Sequence, residues 1–234
     1  MQTTPARLGT RHRWIGWGLL SLLVVCGAGC VRAMALMGKV VLGDPKAVSK
    51  FENRTGIKLQ EDKPPIIIHC SAPLAVLDIC ESLTGDVEAA LIRNMKQKEL
   101  SVVDQNRVVD AIDSRGGHYS HQAVIEEIDD AKYLFEIQIE SFQLHDPNTS
   151  SMYHGICRGT IKGYEIAGAS AEKGSPDVRH TVQVFEQDFD IDYPNGHPMP
   201  REQMSESIFR KKFVNQLSKN LGNIFYDVTS KELF

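Results

Sequence analysis

Residues 130–142 read DAKYLFEIQIESF. From Tyr133 onward, Tyr133, Phe135, Ile137 and Ile139 alternate with Glu136, Gln138 and Glu140. A period of two marks a strand with one packed face and one wet face. This stretch divides the chain. Before it, short apolar runs alternate with helical patterns. Ile66 to Cys70 opens on three isoleucines, which implies burial on both faces, as at the centre of a sheet. A helix is predicted from about Gly85 to Lys98, capped by Thr84, with Val87, Leu91 and Met95 along one side. Leu100 to Val103 reads as a second strand. Asp104 caps a helix with Val108, Val109 and Ile112 inside, ending at Gly116-Gly117, and Ser120 to Asp129 adds a short helix. The first half is thus βαβα, which calls for parallel strands joined by crossover helices.

After the dividing stretch the pattern lengthens. Residues 153–166 read as a strand with Ile156, Thr160, Tyr164 and Ile166 at spacings of two. A loop over Ala167–Asp177 leads to a strand from Val178 to Tyr193. There the apolar phase moves from Val182 and Val184 to Phe185, Phe189 and Ile191, a one-position shift that predicts a bulge. Beyond the loop Pro194–Pro200, about Glu202 to Phe225 is a helix with Ile208, Phe209, Phe213, Leu217, Leu221, Ile224 and Phe225 in one stripe. Upstream, Asp44-Pro45 predicts the start of a short helix running to Arg54 and stopped by Gly56, and Lys58–Pro65 reads as extended. The expected fold class is α+β: a single domain with a mixed β-sheet, a βαβα first half, three longer antiparallel strands and a C-terminal amphipathic helix.

The N-terminus carries a different signal. Residues 1–29 contain Arg7, Arg11 and Arg13 but no acid, then an apolar run from Trp14 that reaches Cys26-Gly27-Ala28-Gly29-Cys30. A basic part, an apolar part and small residues before a defined point make an export leader. The uncharged run Trp14–Val31 is long for such a leader and short for a span, since roughly 20 apolar residues cross a ~30 Å hydrocarbon core. Gly27-Ala28-Gly29-Cys30 resembles the lipobox of bacterial lipoproteins, with glycine where leucine is usual. The resemblance implies lipidation of Cys30 and cleavage before it. A retained N-terminal helical anchor and a soluble secreted form are the alternatives. The expected organisation is a signal peptide over residues 1–29, an anchor-proximal segment with a short helix over 30–60, and the α+β domain over 61–234. The domain is expected outside the cytoplasm, moored in the cell envelope at the outer membrane or the periplasmic face.

Charge narrows the partners. Of 26 basic and 30 acidic side chains, the leader holds three arginines and no acid, so the remainder keeps 23 and 30, a net −7. That balance excludes a nucleic-acid binder, which neutralises phosphates with Lys and Arg, and a domain that adheres to anionic lipid by charge alone. Beyond the leader stand Cys70, Cys80 and Cys157. A Cys70–Cys80 or Cys70–Cys157 disulfide and three buried thiols are all open to them. No C-x2-C pair points to structural zinc.

The order of elements, with Ile66–Pro73, LSVVDQNRVVDAID at 100–113 and DAKYLFEIQIESF at 130–142, resembles a group of bacterial envelope domains: the TolB N-terminal domain, LpoB and CsgG. RAMALMGKVVLGDP at 32–45 and the RTGIKL that follows are similar to uncharacterised planctomycete lipoproteins. These resemblances imply a domain that binds partners or assembles in the envelope, and no reaction.

Candidate chemistry is sparse. His118 and His121 stand in H-x2-H spacing near Asp129 and Asp130, the residue types of a metal or hydrolase site. His69 precedes Cys70, but neighbouring strand residues point to opposite faces. Ser170 lacks the glycine that would complete a nucleophile elbow. Glu186, Asp188, Asp190 and Asp192 line one strand face, suited to calcium or a basic partner or simply to solvent. Phosphate loops and H-E-x2-H helices are absent from the sequence, so no cofactor is expected. The reading is a non-catalytic envelope lipoprotein that binds another envelope protein, through exposed strand faces or the loop at 144–153. An envelope hydrolase or metal-binding protein using the His118/His121 region, and an oligomeric secretion-related subunit, are the alternatives.

Overall fold

A computed structural model describes residues 46–168 and 179–229. The leader, Cys30, the Asp44-Pro45 step and Ser170 lie outside the described residues. Two compact units are distinguished: Val48–Val228, and one made from the chain ends. In the latter, Lys46–Ala47 are extended. Everything below concerns the first, which is α+β.

Helix α1 (Lys50–Thr55) begins where the Ser49 hydroxyl accepts from the Glu52 N–H and ends at Gly56, whose φ of 74° suits glycine. The expected extended stretch 58–65 instead forms one helical turn, α2 (Leu59–Asp62), because Leu59 must reach the core. Strand β1 (Ile66–Ser71) follows. After α3 (Leu74–Leu77) come α4 (Leu83–Gln97), α5 (Gln105–Asp113) and α6 (His121–Glu127). The caps of α5 and α6 are those expected: Asp104 accepts from the Asn106 N–H and Ser120 from the Ala123 N–H. For α4 the start lies earlier than Gly85 and Thr84 is inside the helix.

Strands β2 (Tyr133–Asp146), β3 (Thr149–Ala167) and β4 (His180–Tyr193) then run antiparallel in sequence, and β5 (Met199–Pro200) adds two residues to β3. The order is β1-β2-β3-β4, with β1 parallel to β2. The surface loop expected at 144–153 is mostly strand. A short 3-10 turn at Arg201–Gln203 precedes α7 (Glu206–Gly222).

Two expectations about the first half need correction. Leu100–Val103 does not form a strand; it contributes a single parallel bridge, Ile66 with Val102. Only seven residues separate the end of α4 at Gln97 from the start of α5 at Gln105, and the chain must also turn there. The isoleucines of β1 are buried on both faces, but at the sheet's edge rather than its centre. Covering comes from that bridge: the Ile66 N–H donates to the Ser101 carbonyl and the Val103 N–H to the Ile66 carbonyl, each at 2.9 Å.

The sheet lies between two helical layers. Ile66, Ile68, Phe135, Ile137, Cys157 and Ile161 face α4 and α7, which add Leu83, Val87, Leu91, Phe209, Phe213 and Leu217. Ile67 and Leu134 face α5 and α6, which add Val108 and Val124. Each such side chain taken from water contributes about 1.5–3 kcal/mol. Val109 and Ile208, expected inside, are 46% and 51% exposed.

Strand β3 corrects the reading most. Its core face is not Ile156, Thr160, Tyr164 and Ile166 but the opposite phase, from Tyr153 through Gly155, Cys157, Gly159 and Ile161 to Gly163. The three glycines are required by close approach. A Cβ on Gly155 would stand 2.5 Å from the Phe213 ring and one on Gly163 2.7 Å from Phe135, while one on Gly159 would strike the Gln138 carbonyl. The expected bulge is present: Gly163 pairs with Phe185 and Tyr164 with Gln183, leaving Val184 over.

Candidate functional site

Strand register decides which polar groups meet on the face turned toward α5 and α6. His69 lies opposite Glu136, Glu136 opposite Lys162, and Lys162 opposite Glu186. Above the β1 end of this row sits the segment leading into α6. Tyr119 stacks on the His69 ring with centroids 3.6 Å apart and planes 17° apart. His121, the first residue of α6, places Nε2 3.5 Å from a Glu136 oxygen and Nδ1 3.2 Å from the Thr181 hydroxyl, with its ring edge-on to Tyr164. Arg179 holds α6 in place by donating to the carbonyls of Ile125, Ile128 and Ala131 at its C-terminal end, where a cation suits the helix dipole.

Burial sets the proton affinities. It pushes His69 down to about 4, against the opposing pull of Glu136, so the imidazole is neutral near pH 7. It pushes the Tyr119 and Tyr164 hydroxyls up. The Tyr119 oxygen is enclosed and finds no hydrogen-bond partner among the described residues. On the other face Glu88 is buried on α4; desolvation raises it to about 7, although the Cys70 N–H donates to it at 3.2 Å and Gln105 also hydrogen-bonds it. The same cause pushes the Cys70 thiol up and Cys157 to about 12. These groups stack and lie buried. None of the thiols or hydroxyls in the set is activated as a nucleophile, because burial favours the neutral form of each.

The histidine motif is taken apart by the fold. His118 is exposed, Asp129 is exposed, and Asp130 pairs with Arg107 at 3.1 Å. His121 alone is drawn inward, toward Glu136. Among the described residues no group of three His, Cys, Asp or Glu could hold a metal ion. Cys70, Cys80 and Cys157 are free and buried, so neither disulfide pairing is formed. The acidic run on β4 is partnered: Asp188 accepts from the Thr160 hydroxyl at 2.9 Å and Asp190 pairs with Arg158 at 2.9 Å. Glu186 accepts from Gln183, and Asp192 lies 3.8 Å from His154. Sequence reasoning missed His69, Tyr119 and Glu88 as interacting groups. Glu136 carried a signal, as the first acid of the alternating strand, but its partners depend on register.

No family model matches the chain, and no curated protein matches it. Solved structures of similar chain path exist. The hypothetical protein CT253 of Chlamydia trachomatis is 8% identical, with a TM-score of 0.39, over 70% of this chain and 93% of that one. Lipoprotein GNA1162 of Neisseria meningitidis is 10% identical, with a TM-score of 0.36, over 66% and 97%. The LpoB C-terminal domain of Salmonella enterica is 9% identical, with a TM-score of 0.29, over 61% and 95%. Among the described residues no helix is long and apolar enough to cross a membrane.

Proposed function

We propose that this protein is an envelope lipoprotein, tethered through acylated Cys30, whose α+β domain binds another envelope protein without catalysis. One observation carries the reading: the acid-free, arginine-led apolar leader that ends in Gly27-Ala28-Gly29-Cys30. The sheet supports the binding half. Its wet face bears neighbours of alternating sign, Lys162 beside Glu186 and, further along, Arg158 beside Asp190. A mixed-charge face complements a protein surface better than a uniformly anionic bilayer.

Mass spectrometry of the protein extracted from membrane fractions tests the tether. The expected product begins at Cys30 and carries diacylglyceryl mass on its sulfur. A mature form beginning at unmodified Val31, or one that keeps Met1, overturns it. Cys30→Ala is expected to leave the protein out of the lipidated fraction.

A further inference from the structure

A second surface, away from the sheet, has its own chemistry. Helices α4 and α7 pack side by side and leave between them a groove of about 310 Å³. Its floor is apolar, from buried Ala90 and Val214, and its walls carry Arg93, Arg210 and Lys211. The acid in the lining, Asp86, already accepts from the Ser82 hydroxyl at 2.7 Å. Among the described residues none of the three cations has a carboxylate partner; Arg210 reaches only the Cys80 sulfur, at 3.6 Å. This contrasts with five exposed cations elsewhere on the domain. Lys58, Lys63, Arg107, Arg115 and Arg158 each sit within 3.1 Å of an acid. Large apolar side chains stand exposed nearby: Ile208, two residues before Arg210, and Ile79, next in sequence to the Cys80 that Arg210 touches.

We infer that this groove is a docking site for an acidic, apolar-spaced peptide segment of a protein partner, whose carboxylates meet Arg93, Arg210 and Lys211 and whose apolar side chains reach the floor and Ile208. Guanidinium groups engage carboxylates bidentately, which gives geometry as well as attraction. The recess distinguishes a peptide from a membrane. A bilayer presents a broad flat surface that cannot enter a groove, and the net −7 of residues 30–234 opposes approach to anionic lipid. The inference is independent of the tether, since a groove can bind whether or not Cys30 is acylated.

The experiment uses the full chain in mild detergent and a fluorescein-labelled helical peptide of glutamates with leucine at every third or fourth position, followed by anisotropy. Saturable binding is expected, weakened at least tenfold by Arg93→Gln with Lys211→Gln, both of which are exposed and spare the core. It should also weaken steeply between low and moderate salt. Lys50→Gln, on α1, is expected to change nothing. Absence of saturable binding overturns the inference, as does binding that the double variant leaves intact. Vesicles containing phosphatidylglycerol form the second arm: if they bind through the same cations and the peptide does not compete, the site is a lipid surface and the inference fails.

Discussion

The two faces of the sheet differ in what fills them. Toward α4 and α7, ring meets glycine. Phe213 occupies the space over Gly155, Phe135 that over Gly163, and Phe189 lies against Gly159. Toward α5 and α6, a smaller apolar cluster built on Ile67, Leu134, Val108 and Val124, with Tyr164 and Ile166 of β3 packed against it, gives way to His69, Glu136 and then to open rows of charge. The first face has volume to lose and no slack, whereas the second has a smaller buried cluster and charges to rearrange. The difference puts most of the packing on one side and leaves the proposed recognition to the other.

The largest test removes volume from the closed face. Phe213 is fully buried, stacks on Phe142 at 5.4 Å and lies 6.3 Å from Tyr193. Phe213→Ala is expected to lower stability by about 3–5 kcal/mol, measured as the shift of a urea unfolding midpoint. Gly155→Ala alone should cost about 1–3 kcal/mol by overpacking. In the Phe213→Ala background the same methyl enters the vacated space, so the pair should cost clearly less than the sum. Additive costs would mean that the ring and the glycine do not interlock.

A second test uses the protons that burial displaces on the two sides. Glu88 is raised to about 7 in the fold. Folded chains therefore hold that proton over roughly pH 4.5–7 while unfolded ones release it, and this term lowers stability as pH rises through that window. His69 is lowered to about 4, so its term lowers stability as pH falls from about 6.5 to 4. The two slopes oppose one another where they overlap, and the native chain should be nearly flat between about pH 4.5 and 6.5. Glu88→Gln should expose the histidine term, up to about 3 kcal/mol lost toward pH 4. His69→Asn should expose the carboxylate term, up to about 3 kcal/mol lost toward pH 7. Urea midpoints taken across that range decide it; two flat variants would show that neither group is held by burial.

Much of this was legible from residues. The alternation of Tyr133–Glu140, the stripe Phe209–Phe213–Leu217–Leu221 and the phase shift at Val184 each carry enough apolar contrast to set face and register. The phase of β3 was not legible, because its core face is built from glycine and cysteine. The volume there belongs to Phe135, Phe189 and Phe213, which lie on other elements. The same limit explains the site. His121 stands close in sequence to Asp129 and Asp130, yet it meets Glu136, because pairing across strands and the hold of Arg179 on α6 decide its neighbours. A Glu on α4 amid Val87 and Leu91 gave no sign that it would be buried near Cys70.

The smallest expected effect lies on the open face. Arg158 and Asp190 are ion-paired at 2.9 Å, with side chains 60% and 61% exposed. An exposed pair of this kind is worth about 0.2–1 kcal/mol, and salt screens it. Arg158→Ala should shift the urea midpoint by less than about 1 kcal/mol at low salt, and the shift should shrink as salt is added. The informative counterpart is Arg158→Glu, which sets a third acid against Asp188 and Asp190. Folding should tolerate it almost as well, because water surrounds all three. Partner capture by crosslinking in native envelopes should not, because a partner surface matched to the alternating row would meet three like charges. A loss of several kcal/mol on Arg158→Ala would place this strand face with the closed side, and the division between the two faces would fail.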